Sequence, residues 1–343
     1  MNKVDYIIVG GGYAGLFFAL RLLENGKSFK LFSDGKLGAS RVSAGMVNPV
    51  VLKKFTTFWQ AQNQINFLHL SLESFKRFSG VSVFVHEPVH RIFHNEEEKI
   101  LWSKKRLNED LLPFLDEAFY KVEGVINDFE TGRVLQSGRI NVPLFFEAFY
   151  KLLEEKGCLV REAFKYDLLK ENTYNNLAFS RIVFCEGISV KENPYFSSIE
   201  INPNKGHQIY VKLNKELNVD VTLKKKHFLF RYNEDLHFYG GTYDREHLNE
   251  GVDSSAVEQL QNGLNEFYKD GYDIREVHYG FRPTVRDRRP IIGQHKEHKN
   301  YYVFNGLGAR GVLNGCFFSQ SLYDFIEKDI PLPEEVDIRR FDD

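Results

Sequence analysis

Glycines near the amino end have the spacing that a bound dinucleotide requires. Residues 6–9 read as a short buried strand, and Gly10, Gly12 and Gly15 follow in a Gly-x-Gly-x-x-Gly pattern as helical periodicity begins at Ala14. Gly10 permits the tight turn, Gly12 leaves room for a pyrophosphate, and Gly15 lets the helix pack against the strand. The first N–H groups of the helix then face the phosphates. This segment predicts a βαβ dinucleotide-binding unit.

The second strand of the unit, Phe29–Phe32, is followed by Ser33 and Asp34. An acidic residue at this point binds the ribose hydroxyls in such units. Asp34 is therefore predicted to bind the ribose, one residue later than usual, and Ser33 to share the contact. The glycine pattern alone does not distinguish NAD from FAD.

Composition limits the classes of protein to consider. The chain has 343 residues, 43% of them hydrophobic, which is enough for one large or two ordinary domains. A net charge of −2 gives no global attraction to nucleic acid or anionic membranes. The three cysteines, Cys158, Cys185 and Cys316, fit neither a disulfide framework nor a zinc site. No apolar run reaches the ~18 residues of a membrane span. We expect a cytoplasmic protein without a metal.

Periodicity along the chain predicts an α/β fold that is α+β overall. The pattern begins as βαβ, becomes rich in alternating Phe, Tyr and Val mid-chain, and returns to strand, loop and helix at the end. This order indicates an α/β domain interrupted by a mostly antiparallel sheet. Strands are predicted at 6–9, 29–32, 159–161, 182–185, 209–213, 227–232, 236–239 and 301–304, and helices at 14–24, 59–78, 142–155, 255–268 and 314–326.

Later segments resemble one family of flavoproteins. Gly38-Ala39-Ser40-Arg41, followed by Ala44-Gly45-Met46, is similar to a signature of the D-amino-acid oxidase family, which includes glycine oxidase, sarcosine oxidase and the oxidase domain of a bifunctional tRNA-modification enzyme. Further similar segments follow in the family's order: Gly138 to Pro143, Phe184 to Gly187, Lys205 to Gln208, Gly240 to Thr242, Gly280 to Thr284 with Asp287, Pro290 and Gly293, and Gly306 to Leu313.

The resemblance implies a Rossmann-like FAD-binding domain with an inserted, mostly antiparallel substrate domain. The FAD-binding domain is expected to contain residues 1–79, 136–205 and 279–343. The substrate domain is expected to contain residues 80–135 and 206–278.

FAD is the cofactor that the resemblance implies. Some relatives attach the flavin through a histidine or a cysteine, whereas the corresponding places here hold Val42, Ser43 and Gly280. Dissociable FAD is therefore expected. The residues predicted to contact it are Gly10, Gly12, Ala14, Gly15, Ser33, Asp34, Ser40, Arg41, Ala44, Gly45, Met46, Cys185, Gly187, Gly308, Ala309, Gly311, Val312 and Leu313.

Arg282 is predicted to bind a substrate carboxylate, since a guanidinium group matches a carboxylate with two parallel hydrogen bonds. The alternative is a solvated basic loop that Arg282 shares with its neighbouring arginines. Arg310 is a second anion contact or faces a phosphate. Phe228 stands where glycine-oxidase-like relatives have a tyrosine, and His227, Tyr232 and Tyr243 are the candidates to compensate for it.

Three hypotheses about function follow. The first is oxidation of a C–N bond in a small amine or amino acid by hydride transfer to flavin N5, with oxygen or another acceptor reoxidising the flavin. The flavin carries this chemistry, so no catalytic side chain is assigned. The second hypothesis changes the substrate to a modified tRNA wobble uridine. The third is a flavin-binding protein without turnover.

Overall fold

The computed structural model describes residues 2–217 and 220–341. Its strands are, in chain order, β1 Asn2–Val9, β2 Phe29–Phe32, β3 Met46–Val47, β4 Val50–Val51, β5 Thr56–Thr57, β6 Phe84–Val85, β7 Val89–Ile92, β8 Leu115–Tyr120, β9 Thr131–Val134, β10 Gly138–Ile140, β11 Leu159–Val160, β12 Leu169–Lys170, β13 Thr173–Tyr174, β14 Leu177–Phe184, β15 Asn202–Leu213, β16 Thr222–Lys224, β17 Phe228–Arg231, β18 His237–Gly240, β19 Tyr272–Thr284, β20 Ile291–Gln294 and β21 Tyr301–Asn305.

The helices are α1 Tyr13–Glu24, α2 Ala61–Ser79, α3 Glu96–Lys105, α4 Val142–Glu155, α5 Ser254–Asn265 and α6 Gly311–Lys328. Short 3₁₀ helices lie at Tyr166–Leu168, Gly187–Glu192, Gly308–Arg310 and Ile338–Phe341. None of the helices in the described ranges is both long enough and apolar enough to cross a membrane.

A mostly parallel sheet organises the first part of the fold. Its strands β11, β2, β1, β14 and β21 lie side by side in that order and pair in parallel. Strand β1 is central, and its apolar residues are buried on both faces, as a parallel sheet covered on two sides requires. Helices α1 and α6 pack together, and they share one apolar cluster with α2 and α4.

A second sheet is mostly antiparallel and has the order β19-β15-β18-β17-β16-β7-β9-β8. Strands β15 and β19 pair along their whole lengths, from Asn202 opposite Thr284 to Leu213 opposite Tyr272. Helix α5 packs on β15 and closes an apolar cluster beneath it. The two sheets together confirm the predicted fold class.

Local sequence explains why one helix has the bounds predicted for it. Helix α4 has the predicted bounds because Asn141 caps it, with its side-chain oxygen accepting the Leu144 N–H at 3.2 Å. Pro143 lies in the first turn of the helix. Its missing N–H costs little there, because the first N–H groups of a helix have no partner within the helix. Apolar residues at helical spacing then bury one face.

Helix α3 and most of the long strand β19 were not predicted. Helix α3 is polar and buries only Trp102, so its apolar periodicity is weak. Strand β19 contains Gly280 and Pro283 and is partly exposed along its length, features that argue against a strand. The first strand of the antiparallel sheet in chain order is β7, which begins at Val89, and the last is β19, which ends at Thr284. The division into two domains stays a prediction.

Candidate active site

A cavity of about 830 Å³ lies where the carboxyl ends of β1, β2 and β14 face the antiparallel sheet. Ligands of open α/β sheets bind outside the carboxyl ends of the strands, and this volume is in the usual range for a ligand pocket. One wall is made by the turns after these strands and by the Gly38 to Met46 segment. The other wall is made by residues of β15, β17, β18 and β19.

Two helices begin at the cavity wall, and in neither does the N-cap residue cap the helix with its side chain, although Ser40 Oγ accepts the Tyr13 N–H of α1 at 3.2 Å. Helix α1 follows Gly12 and helix α6 follows Arg310, and no acidic residue lies in the first turn of either one. Ala14, Gly311 and Val312 from these first turns line the cavity. Uncapped helix starts offer N–H donors and a positive dipole end. The wall therefore favours negative charge at two places.

The turn after β1 depends on the absence of a side chain at Gly10. Its φ is +109°, a conformation that L residues rarely adopt. A Cβ at this position would lie 2.3 Å from the carbonyl oxygen of Cys185, which directly follows the neighbouring strand β14. Both the conformation of the turn and its close approach to the Cys185 backbone thus require glycine here.

Polar groups at the end of β2 are held in place by Tyr150. The Tyr150 hydroxyl lies 2.8 Å from Ser33 Oγ and donates to the Gly11 carbonyl oxygen at 3.2 Å. The Arg41 guanidinium stacks on the Tyr150 ring at 4.7 Å. Asp34 Oδ1 accepts the N–H of Lys36, and its carboxylate forms an exposed ion pair with the Lys36 side chain.

Arg282 projects from β19 and lies in the opposite wall. Its Nη1 donates to Asn204 Oδ1 at 3.1 Å and to the Thr242 carbonyl oxygen at 2.9 Å. A Cβ at Gly206 would lie 2.3 Å from Nη1, so the guanidinium occupies space that a side chain there would fill. Burial lowers the pKa of Arg282, and the nearby Tyr243 opposes this shift.

The acceptors of Arg282 are uncharged, and no ion pair to Arg282 is present in the described part of the chain. A half-buried arginine whose pKa is lowered by desolvation is normally paired with an anion. The positive charge of Arg282 is therefore left for a ligand to neutralise.

Aromatic side chains line the same wall as Arg282. Phe228 and Phe238 give an apolar surface. The Tyr243 ring stacks on the Arg282 guanidinium at 4.3 Å, and Tyr243 is 66% exposed, which places it at the opening of the cavity. Arg310 lies outside the wall, over the Phe58 ring at 4.6 Å.

A family model described as FAD dependent oxidoreductase matches residues 5–323 of this chain. The chain belongs to this family. The FAD-dependent oxidoreductase is also 22% identical to the tRNA 5-methylaminomethyl-2-thiouridine biosynthesis bifunctional protein MnmC of Haemophilus ducreyi, over 97% of this chain and 57% of that protein. The chain thus spans little more than half the length of this relative.

Solved structures share the fold of the FAD-dependent oxidoreductase. Glycine oxidase from Geobacillus kaustophilus superposes with a TM-score of 0.79 at 17% identity, covering 97% of both chains. Iminodiacetate oxidase from Chelativorans sp. BNC1 gives a TM-score of 0.76 at 16% identity, covering 97% of this chain and 98% of that one. At these identities the likeness shows the fold alone.

FAD is the cofactor of the family, and the cavity of this oxidoreductase fits it. The glycine turn and the two uncapped helix starts suit a pyrophosphate and an electron-rich ring edge. The cavity wall contains most of the residues predicted to contact FAD, namely Gly10, Gly12, Ala14, Ser33, Asp34, Ser40, Arg41, Ala44, Gly45, Met46, Cys185, Gly187, Gly308, Ala309, Gly311 and Val312. The individual contacts stay predictions.

Two residues predicted to contact FAD lie outside this wall. Gly15 packs against the turn after β1, where a Cβ would lie 2.0 Å from the Gly10 carbonyl oxygen. Leu313 is buried in the core beneath α6.

The sequence reasoning missed Tyr150, Asn204 and Glu186. Tyr150 and Asn204 act through pairings between distant segments, so no local pattern marks them. Glu186 lies between the predicted contacts Cys185 and Gly187. An acidic residue in a turn of small residues is the sequence signal that could have identified it. Its carboxyl accepts hydrogen bonds from the Tyr166 hydroxyl and, at 2.7 Å, from Asn193 Nδ2.

Burial raises the pKa of Glu186 from 4.5 to about 7, although the hydrogen bonds from Asn193 and Tyr166 oppose the shift. The unfolded chain loses this proton near pH 4.5, whereas the folded protein keeps it until about pH 7. Stability is therefore expected to fall, on the order of 2 kcal/mol, as pH rises through this window.

Glu186→Gln should remove this pH dependence and raise stability above pH 7, since the amide offers a carbonyl to Asn193 and an N–H₂ to the Tyr166 hydroxyl. Thermal unfolding of both proteins between pH 4.5 and 8 measures the effect. The same substitution at the exposed Glu162 is the control. Parallel curves for wild type and Glu186→Gln would show that Glu186 titrates normally.

Proposed function

We propose that this FAD-dependent oxidoreductase oxidises a C–N bond of a small amine or amino acid that carries a carboxylate. Bound FAD would supply the electron acceptor, taking a hydride at its N5 atom. The observation that carries the proposal is Arg282, whose charge is held in the cavity wall by uncharged acceptors. An anionic substrate group is the partner that this arrangement lacks.

Each side chain opposite the glycine turn has a positioning role in this proposal. Arg282 binds the substrate carboxylate through its outward N–H groups and so fixes where the neighbouring carbon lies. Phe228 and Phe238 exclude water from the reacting bond, and Tyr243 covers the guanidinium from the solvent side. We assign no side chain as general acid or base.

FAD is proposed to be dissociable. Val42, Ser43 and Gly280 line the cavity at the places where some relatives carry an attaching histidine or cysteine. The Ser43 hydroxyl instead lies 2.9 Å from that of Tyr13. Cys185 also lines the cavity, but burial raises the pKa of its thiol well above the ordinary value, which disfavours attack by its sulfur.

An anaerobic panel of amines and amino acids, followed at the flavin absorption band, tests the proposal. We expect the purified protein to be yellow, to release FAD in acid, and to be bleached by at least one carboxylate-bearing amine. Flavin that no amine of the panel bleaches would contradict the proposal and favour a flavin-binding protein without turnover. A colourless protein that binds NAD would overturn the cofactor assignment.

A second candidate substrate is a modified wobble uridine in tRNA. The similarity to the Haemophilus ducreyi protein over 97% of this chain favours it. Bleaching by modified tRNA, with no bleaching by free amino acids, would support this substrate over the first.

With either substrate, oxygen or another acceptor then reoxidises the flavin. A cytoplasmic location is part of the same proposal and is supported by three free thiols.

Asn204 is expected to matter because it holds Arg282 without neutralising it. Asn204→Asp places a carboxylate against the guanidinium, so the affinity of the holoenzyme for acetate should fall about tenfold. Asn202→Asp, two residues earlier on β15 at an exposed position, makes the same charge change as a control. Calorimetric titration with acetate measures both. An unchanged affinity in Asn204→Asp would show that acetate binds elsewhere.

A further inference from the structure

Three arginines beside the opening of the cavity lie close together, and none of them has an acidic side-chain partner within residues 2–217 and 220–341. This arginine cluster consists of Arg288, Arg289 and Arg310. The Arg310 guanidinium lies 4.6 Å from the ring centre of Phe58, and that of Arg289 lies 4.5 Å from the ring centre of Trp59. Arg288 and Arg289 are near enough to Arg310 to lower its pKa by repulsion, in addition to the larger effect of burial.

Carboxylates do not neutralise the cluster in the described part of the chain. Asp287 is the acidic residue next to it in sequence, and its carboxylate is engaged by the Arg340 side chain at 2.8 Å. The cluster itself contacts Asp287 through the backbone N–H of Arg289, which donates to Asp287 Oδ1 at 2.9 Å. In the described ranges, the guanidinium groups of the cluster therefore make no hydrogen bond to a carboxylate.

The arginine cluster is continuous with the substrate side of the cavity. Tyr243 lines the cavity and stacks on Arg282, and it also interacts electrostatically with Arg310. Ala309, next to Arg310 in sequence, is itself part of the wall. The path from Arg282 to the cluster therefore runs across the exposed ring of Tyr243 at the opening.

Placing three positive charges close together costs free energy, which a bound anion would recover. Although the net charge of the chain is −2, the potential beside this cluster is positive. The Phe58 and Trp59 rings hold two guanidinium planes by cation–π contact. Guanidinium groups fixed in this way are preorganised to bind a carboxylate or phosphate.

We propose that the arginine cluster is a second anion subsite, which binds an acidic group on the part of the substrate that stays outside the cavity. The inference rests on the proposed function, in which Arg282 binds the carboxylate inside. The substrate is then an amine with two anionic groups. A small dianionic amine and the phosphodiester of an RNA nucleotide share this chemistry.

Calorimetric titration of the holoenzyme with acetate, succinate and a short single-stranded oligouridylate tests the subsite. We expect succinate or the oligonucleotide to bind at least about tenfold more tightly than acetate. Arg288→Gln/Arg289→Gln should remove this difference and leave the affinity for acetate within about twofold. A preference for succinate identifies a small dianion, and a preference for the oligonucleotide identifies RNA.

Arg161→Gln/Arg275→Gln is the matched control, because it removes the same charge from exposed pairs with Glu154 and Asp273. It should preserve the difference between the probes. The inference is overturned when neither larger anion binds more tightly than acetate, or when the cluster variant keeps the difference. If acetate did not bind to the wild-type holoenzyme, the proposed function itself would be contradicted. Failure of the inference and failure of the proposed function are therefore distinguishable.

Discussion

Gly10→Ala is expected to yield a protein with less than about a tenth of the FAD of wild type and a clearly lower unfolding temperature. A Cβ here would lie 2.3 Å from the Cys185 carbonyl oxygen, and φ is +109°, so the turn cannot keep its conformation with any side chain. The turn also sets the start of α1, whose first residues Tyr13 and Ala14 line the cavity. Absorbance of the purified protein at the flavin band measures the FAD content.

Gly38→Ala is the control for this prediction. Gly38 lies in the same cavity wall, but a Cβ there meets no heavy atom within 4 Å and its φ is not positive. FAD content and unfolding temperature should stay as in wild type. A Gly10→Ala protein that purifies yellow with wild-type stability would show that the turn can rearrange, and the glycine turn would lose its assigned role.

The amino-terminal unit could be predicted because its signals are local. Strand, glycine turn and helix follow one another within a short stretch, and each glycine has a steric reason that short-range geometry fixes. Helix α4 was predictable for the same reason, from Asn141, Pro143 and an apolar face. Resemblance to a family then supplied the cofactor, which the turn alone left open.

The cavity wall that contains Arg282 could not be predicted in this way, because it depends on how strands that are distant in sequence pair with each other. Asn204 lies opposite Arg282 only because β15 and β19 pair along their full lengths. Neither residue carries a local signal for that pairing, and Pro283 hides the strand. The aromatic residues Phe58 and Trp59 pose a similar problem, since apolar spacing does not reveal that they lie under Arg310 and Arg289 rather than in the cavity wall.

Arg282→Met is the substitution with the largest expected effect on substrate binding. Methionine keeps the apolar packing of the side chain but removes the charge, so the apparent Kd for a carboxylate-bearing substrate should rise roughly a hundredfold or more. The apparent Kd for the amine analogue that lacks the carboxylate should change less than about threefold. Arg282→Lys is expected to fall between wild type and Arg282→Met, because an ammonium group restores the charge without the planar fork.

Anaerobic stopped-flow reduction of the flavin separates the apparent Kd from the limiting rate for each variant. FAD content should be unchanged, because Arg282 projects from β19 on the side opposite the glycine turn. Arg275→Met, on the same strand at an exposed position paired with Asp273, is the matched control. If Arg282→Met weakened both substrates equally, the guanidinium would shape the cavity without binding the carboxylate, and the anion inside the cavity would have to be sought at the helix starts instead.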